Sequence, residues 1–327
     1  MNKFERILVT KTPLAFILRK SKHWYLPGFE GVPLYDVGRF FYGQVKTIGL
    51  TERASAIAYN FIMAIPPSFL FLFTLIPHLP FIKKKDILNQ IRLILKDIIP
   101  VEAFNNTIVN FIEITFFKTP VFGLLSFGLL LALFFASNAM MGLMRSFNKN
   151  YIGFKKRKGL HDRWVAIRLT TLIFGLVLGC LILLITQGAA LKWLGVKSAF
   201  WKDFIFYTRW IFIIALIFYS IAFIYKYAPA VHKKWRLVSP GTILATFLCI
   251  MASLGFSTFV NNFGRYNALY GSIGTIIVLM ALIFINSLVL LVGFELNVSI
   301  KSLRAIAERR DAEEKVIQAE KKIHERS

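Results

Sequence analysis

Six long runs nearly free of charge alternate along this chain with shorter stripes in which apolar residues return every three or four positions. The runs cover about Ala54–Ile76, Pro120–Met144, Trp164–Gln187, Tyr207–Ala228, Pro240–Val260 and Ala268–Val298. Each is long enough to cross a bilayer as a helix, and none alternates with the period of two that a membrane barrel requires. The last run is the most informative. No charge falls between Tyr266 and Phe294, and at about 1.5 Å per residue such a stretch spans both the hydrocarbon layer and its headgroup zones. It closes on Gly293-Phe294-Glu295-Leu296-Asn297, where a carboxylate and an amide stand as the helix leaves the apolar layer.

The stripes predict helices outside the runs. Val37, Phe41, Val45 and Ile48 mark an amphipathic helix before the first run, close to the interfacial aromatics of His23-Trp24-Tyr25. After the first run, Ile87, Ile91, Ile94 and Ile98, then Phe104, Ile108 and Phe111, predict two more on either side of Pro100. From Lys301 onward the chain is rich in Lys, Glu, Ala and Arg and reads as a solvated continuation of the last helix, without a long heptad seam. The expected architecture is all-α: a six-transmembrane-helix bundle with amphipathic surface helices. A basic arm (1–53) precedes the membrane domain (54–298), and a charged helical tail (299–327) follows it.

Composition sharpens the class. The chain has 327 residues, of which 56% are hydrophobic and 17% charged, with a mean hydropathy of +0.60. These values lie outside the soluble range. The basic first 50 residues, broken by Pro13, Pro27 and Pro33, do not read as a cleavable signal peptide. A formal charge of +23 could point to nucleic acid. Its distribution points to lipid instead. The arm, the loops after the second and fourth spans, and the tail together hold 27 Lys and Arg, against 10 in the other loops. The richer side is expected to be cytoplasmic, with both termini inside, facing anionic lipid. Membrane lipids, and anionic lipid at the cytoplasmic face, are the expected partners; nucleic acid is not.

Candidate chemistry is sparse. Cys180 and Cys249 fall inside spans and read as small buried apolar residues. His23, His78, His161, His232 and His324 are scattered, so no metal site or cofactor is expected. No phosphate loop, nucleophile elbow or carboxylate cluster appears, and no enzyme activity is expected.

Polar residues inside spans are costly in lipid and so are the candidate positions. Arg53, Asn60 and Pro67 recur every seven residues on one face of the first span, and Pro66-Pro67 interrupts its hydrogen-bond ladder. That break reads as a kink, or as a hinge or broken-helix site. Asn138, Met141 and Arg145 share a face of the second span. Thr275, Asn286, Gly293 and Asn297 line one face of the sixth, which reads as helix-to-helix hydrogen bonding or a substrate path. Glu295 points away from that line. A contact with Arg53 or Arg145, or a solvated carboxylate at the interface, are its two readings. Gly175-x-x-x-Gly179 offers a close-packing surface on the third span.

Three motifs resemble the YihY/BrkB family. Arg53-Ala54-Ser55-Ala56-Ile57-Ala58-Tyr59 leads into a proline-containing span, Tyr266-Asn267-Ala268-Leu269-Tyr270-Gly271-Ser272-Ile273-Gly274 opens the last span, and Gly293-Phe294-Glu295-Leu296-Asn297 closes it. The resemblance runs from about Val37 to Ser299. The chain departs from the pattern in Asn60 after the motif tyrosine and in a proline pair where one proline is expected. The resemblance implies a bacterial inner-membrane protein of a family once labelled ribonuclease, with some members linked to virulence, serum resistance or export. The expected function is transporter-like or envelope-maintaining, acting on a lipid-linked or small anionic molecule. A non-transporting scaffold is the alternative.

Overall fold

The computed structural model describes residues 20–47, 49–75, 89, 92–93, 109–110, 122–148, 159–193, 199–231, 234–262 and 264–324. Among these residues seven long helices and no strand occur: α1 (Leu34–Thr47), α2 (Leu50–Leu75), α3 (Phe122–Phe147), α4 (Gly159–Trp193), α5 (Ala199–Tyr227), α6 (Pro240–Asn262) and α7 (Gly264–His324). Six of them, α2 to α7, are long and apolar enough to cross a membrane. The protein is an all-α polytopic membrane protein. The stripes expected between residues 87 and 111 lie largely outside the described residues.

Each span exceeds its apolar run where flanking residues can keep the helix going. α2 starts at Leu50, just after Gly49 turns the chain with φ +65°, so Arg53 sits inside the first helical turn rather than in the arm. It also runs unbroken through Pro66-Pro67. α6 starts where the sequence supplies both start signals, a serine followed by proline. Ser239 Oγ accepts the Thr242 N–H at 3.2 Å, and Pro240 occupies a first-turn position that needs no donor. α7 continues past the apolar run as one 61-residue helix, because Lys, Glu and Ala are good helix formers.

α2 packs along α3, α7 along α6, and α7 also meets α1 and α2; α4 and α5 continue from α3 round to α6. Four helical glycines allow the tightest approaches, the closest at Gly241, where a Cβ would lie 2.1 Å from the Gly293 carbonyl. A Cβ at Gly128 would lie 2.8 Å from Leu70, and one at Gly142 would lie 2.7 Å from Asn60. At Gly293 it would lie 2.6 Å from the Gly241 carbonyl. Small residues at such crossings let backbones touch, which is how helices gain van der Waals contact in lipid. Gly175 and Gly179 have no neighbour within 4 Å of an added Cβ, so their expected packing face meets nothing among the described residues.

The core is concentrated at the end of the bundle that carries Glu295. Ile57, Leu143, Met144, Phe147, Leu169, Tyr225, Leu291 and Phe294 are all fully buried there. Toward the other end the described residues of α6 and α7 are less buried. None of the residues from Met251 to Phe259 or from Ile276 to Asn286 is buried. Ile276, Ile277, Leu279 and Met280 are all exposed, and at 100° per residue they span about 160° of the helix circumference.

Candidate functional site

The site is built where α2 and α6 begin, α3 ends and α7 passes through. Glu295 is completely buried, and Arg53 from the first turn of α2 donates Nη1 to its Oε1 at 2.6 Å. Nη2 of the same guanidinium donates to the Ser146 carbonyl. That carbonyl belongs to the last turn of α3, where backbone acceptors have no partner within the helix and the dipole favours a cation. One planar guanidinium therefore joins three helices, a geometry lysine cannot reproduce. The solvated reading of Glu295 is thereby excluded. Arg145, the other expected partner, is exposed.

An aromatic cluster seals the pair. Phe147 and Phe294 stack with centroids 3.9 Å apart and planes within 2°. Tyr225 meets both edge-on, and Trp235 lies 5.4 Å from Phe294. The Tyr225 hydroxyl donates to the Leu290 carbonyl at 2.6 Å. Excluding water strengthens the charge pair and makes removal of either partner costly.

Asn297 lies 200° around the helix from Glu295 and serves a different neighbour. Its Oδ1 accepts the Gly241 N–H at 2.9 Å, and its Nδ2 donates to Ser239 Oγ at 2.9 Å. The first turn of α6 is buried, so its unpaired N–H groups need acceptors, and Asn297 supplies one.

A second charged group lies one to two turns further along α7. Glu30, in a turn with φ +51° between Gly28 and Gly31, bonds Lys301, and it accepts from Arg304 Nη1 at 3.0 Å. Burial alone would raise the Glu30 carboxyl, but Lys301 and Arg304 outweigh it and hold it below the usual carboxylate range. Phe29, Val32 and Val37 bury against Ile300 beside this contact. A Cβ at Gly28 would lie 2.9 Å from Pro240. The arm thus straps the start of α6 to α7.

The remaining candidate positions do not gather. Asn138 accepts from Arg163 of α4, whose guanidinium lies over Phe134 at 5.4 Å. Asn60 and Asn286 donate back to the Ala56 and Leu282 carbonyls of their own helices, at 2.7 Å and 3.0 Å. Tyr59 and Pro66 are exposed and Pro67 is half-buried. Tyr266, Asn267, Tyr270 and Gly271 fall on α7, but their side chains, like that of Thr275, lie outside the described residues. Cys180 and Cys249 are buried thiols on different helices. No three of His, Cys, Asp and Glu meet at one point among the described residues.

Sequence reasoning passed over Ser146, Ser239, Gly241, Arg163 and Glu30. A serine-proline pair ahead of an apolar run signalled Ser239, and an acid set between glycines in a basic arm signalled Glu30. Ser146 contributes a backbone atom, which no residue pattern reveals.

Residues 41–318 match the family described as virulence factor BrkB. A Bacillus subtilis protein named ribonuclease-like, YfkH, is 30% identical over 253 residues, covering 75% of this chain and 88% of its own length. A UPF0761 membrane protein of Chromohalobacter salexigens is 26% identical over 252 residues, 75% of this chain and 58% of that protein. One from Aeromonas salmonicida is 35% identical over 81 residues, 24% of this chain and 28% of that protein. No solved structure matches.

Proposed function

This chain belongs to the BrkB virulence-factor family of membrane proteins, and on that premise we propose a transporter-like or envelope-maintaining role at the bacterial inner membrane. Its cargo in this reading is a lipid-linked or small anionic molecule, and both termini face the cytoplasm. The carrying observation is the packing difference between the two ends of the bundle. One end is shut by the Arg53–Glu295 pair and the Phe147–Phe294 stack, while toward the other the described residues of α6 and α7 are not buried. A closed inner end and less buried outer halves suit access from the outer side or from the lipid, and apolar helix faces suit an amphiphile.

The charge distribution supports the orientation, since Lys and Arg concentrate on the side that holds the Glu295 end. The YfkH name does not lead us to propose hydrolysis: metal-assisted cleavage needs gathered ligands, and the described side chains gather none. A second reading, a non-transporting scaffold, is favoured by the return of the Asn60 and Asn286 amides to their own backbones.

Flux in proteoliposomes separates the two. Transport predicts uptake of a lipid-linked or small anion that Glu295→Gln slows at least tenfold, with the variant still folded. Wild-type vesicles matching empty vesicles across both classes of anion would leave the scaffold.

A further inference from the structure

The strap over the bundle end is built as an occupied anion site. Lys301 and Arg304 converge on Glu30, which the chain holds in a left-handed conformation that only a supporting structure maintains for a non-glycine residue, while the Arg304 Nε also donates to the exposed Glu308 of its own helix at 2.7 Å. The three side chains are 37%, 47% and 22% exposed, so the site is open to exchange with the solution and the lipid surface. Their level also fits a headgroup. Lys301 and Arg304 stand about 9 and 13 Å along the helix from the buried Glu295, just past the apolar run.

The strap itself carries what an interfacial segment needs. Trp24, Tyr25 and Leu26 are consecutive and exposed, the Lys20 ammonium lies 5.8 Å from the Trp24 ring, and that of Lys22 lies 5.1 Å from the Tyr35 ring. On α1, Arg39, Tyr42 and Lys46 are exposed at helical spacing. An arm of this charge is drawn to an anionic surface, and the carboxylate within it occupies the two cations of α7.

We propose that Lys301 and Arg304 form a binding site for a phosphate-bearing anion, with Glu30 as its displaceable internal stand-in. A phosphate group offers the same oxygen acceptors to an arginine fork and an ammonium as the carboxylate does, with more charge. Its binding frees Glu30 and loosens the strap from α6 and α7. The phosphate comes from an anionic phospholipid headgroup or from soluble phosphate. The lipid source rests on the proposed orientation, which labelling of single cysteines in intact cells tests separately.

The test is competitive binding to the full chain in phosphatidylcholine nanodiscs at fixed ionic strength. Short-chain phosphatidylglycerol and inorganic phosphate are the probes, in separate arms. Glu30→Gln removes the carboxylate that Lys301 and Arg304 share, leaving only the exposed Glu308 on Arg304, and is expected to tighten binding of the active probe at least threefold. Lys301→Gln with Arg304→Gln is expected to weaken it tenfold or more. A response to phosphatidylglycerol alone assigns the site to lipid, and a response to both assigns it to phosphate in general. A Glu30→Gln variant that binds no tighter than wild type would overturn the proposal, as would a double variant that binds equally well. Should either variant unfold, Glu30→Asp provides the folded control: its shorter carboxylate reaches the cations less well and is expected to tighten binding partway.

Discussion

At the residue scale the decisive fact is that Glu295 is buried and paired with the Arg53 guanidinium. Breaking a buried pair from one side leaves a charge without its counter-charge, at a cost of about 3–5 kcal/mol. Arg53→Ala is therefore expected to lower the melting temperature in detergent sharply. The double change Arg53→Met with Glu295→Leu is expected to recover most of the loss, because two apolar groups need no desolvation. Asn297 is tested differently. Asn297→Leu removes the acceptor of the buried Gly241 N–H, and an orphaned buried donor costs about 1–3 kcal/mol. Asn297→Asp retains that acceptor but loses the bond to Ser239, so its melting temperature should fall between those of wild type and the leucine variant.

Glu30 gives a pH dependence with a definite sign. Its carboxyl lies below the ordinary range in the folded protein. The ion pair's contribution is thus complete above the ordinary carboxylate range and fades as pH falls through the lowered value. Proteolytic protection of residues 20–33 should be constant around neutral pH and diminish only in acid. Strap opening near neutral pH would contradict this. The groups facing Glu30 are Lys301 and Arg304, and neither loses its proton in that interval.

At the element scale the contacts between helices depend on places where a side chain is missing. α6 and α7 meet at Gly241 and Gly293, where an added Cβ would run into the facing backbone carbonyl as well as the Asn297, Ala245 and Tyr225 side chains. Gly293→Ala is expected to push the helices apart, disturb both the Asn297 cap and the Tyr225 hydroxyl contact, and abolish a stable monodisperse peak in size-exclusion chromatography. Gly175→Ala, with open space around it, is the matched control and should behave as wild type. The proline pair illustrates the opposite balance. Each proline lacks a donor, yet α2 stays helical through both, held along α3 by contacts at Leu70, Phe71 and Asn60.

At the scale of the whole molecule, the described residues are tightly buried at one end and exposed at the other. If the tight end is cytoplasmic, single cysteines at Tyr42 and Ala307 should react with an impermeant reagent only after the cells are opened. A cysteine at Asn89 should react from outside. The reverse pattern would invert the topology and with it the proposed direction of access.

Much of this organisation was legible from the amino acids. Six apolar runs must become helices, because lipid offers no partner to an unbonded backbone group. The same runs placed Glu295 where a span ends, and helical spacing set it away from Asn297. Periodicity assigns a side chain to one side of its own helix but carries no information about which helix lies opposite. Arg53 and Arg145 were therefore equal candidates until packing placed one inside and left the other exposed. Asn138, Asn60 and Asn286 looked like members of one polar path, yet packing gave the first to Arg163 and the others to their own backbones. The chain by itself determined what must be buried in the membrane and where the charges must stay. The tertiary structure alone decided the pairing, because it depends on the close approach of helix ends that lie far apart in the sequence.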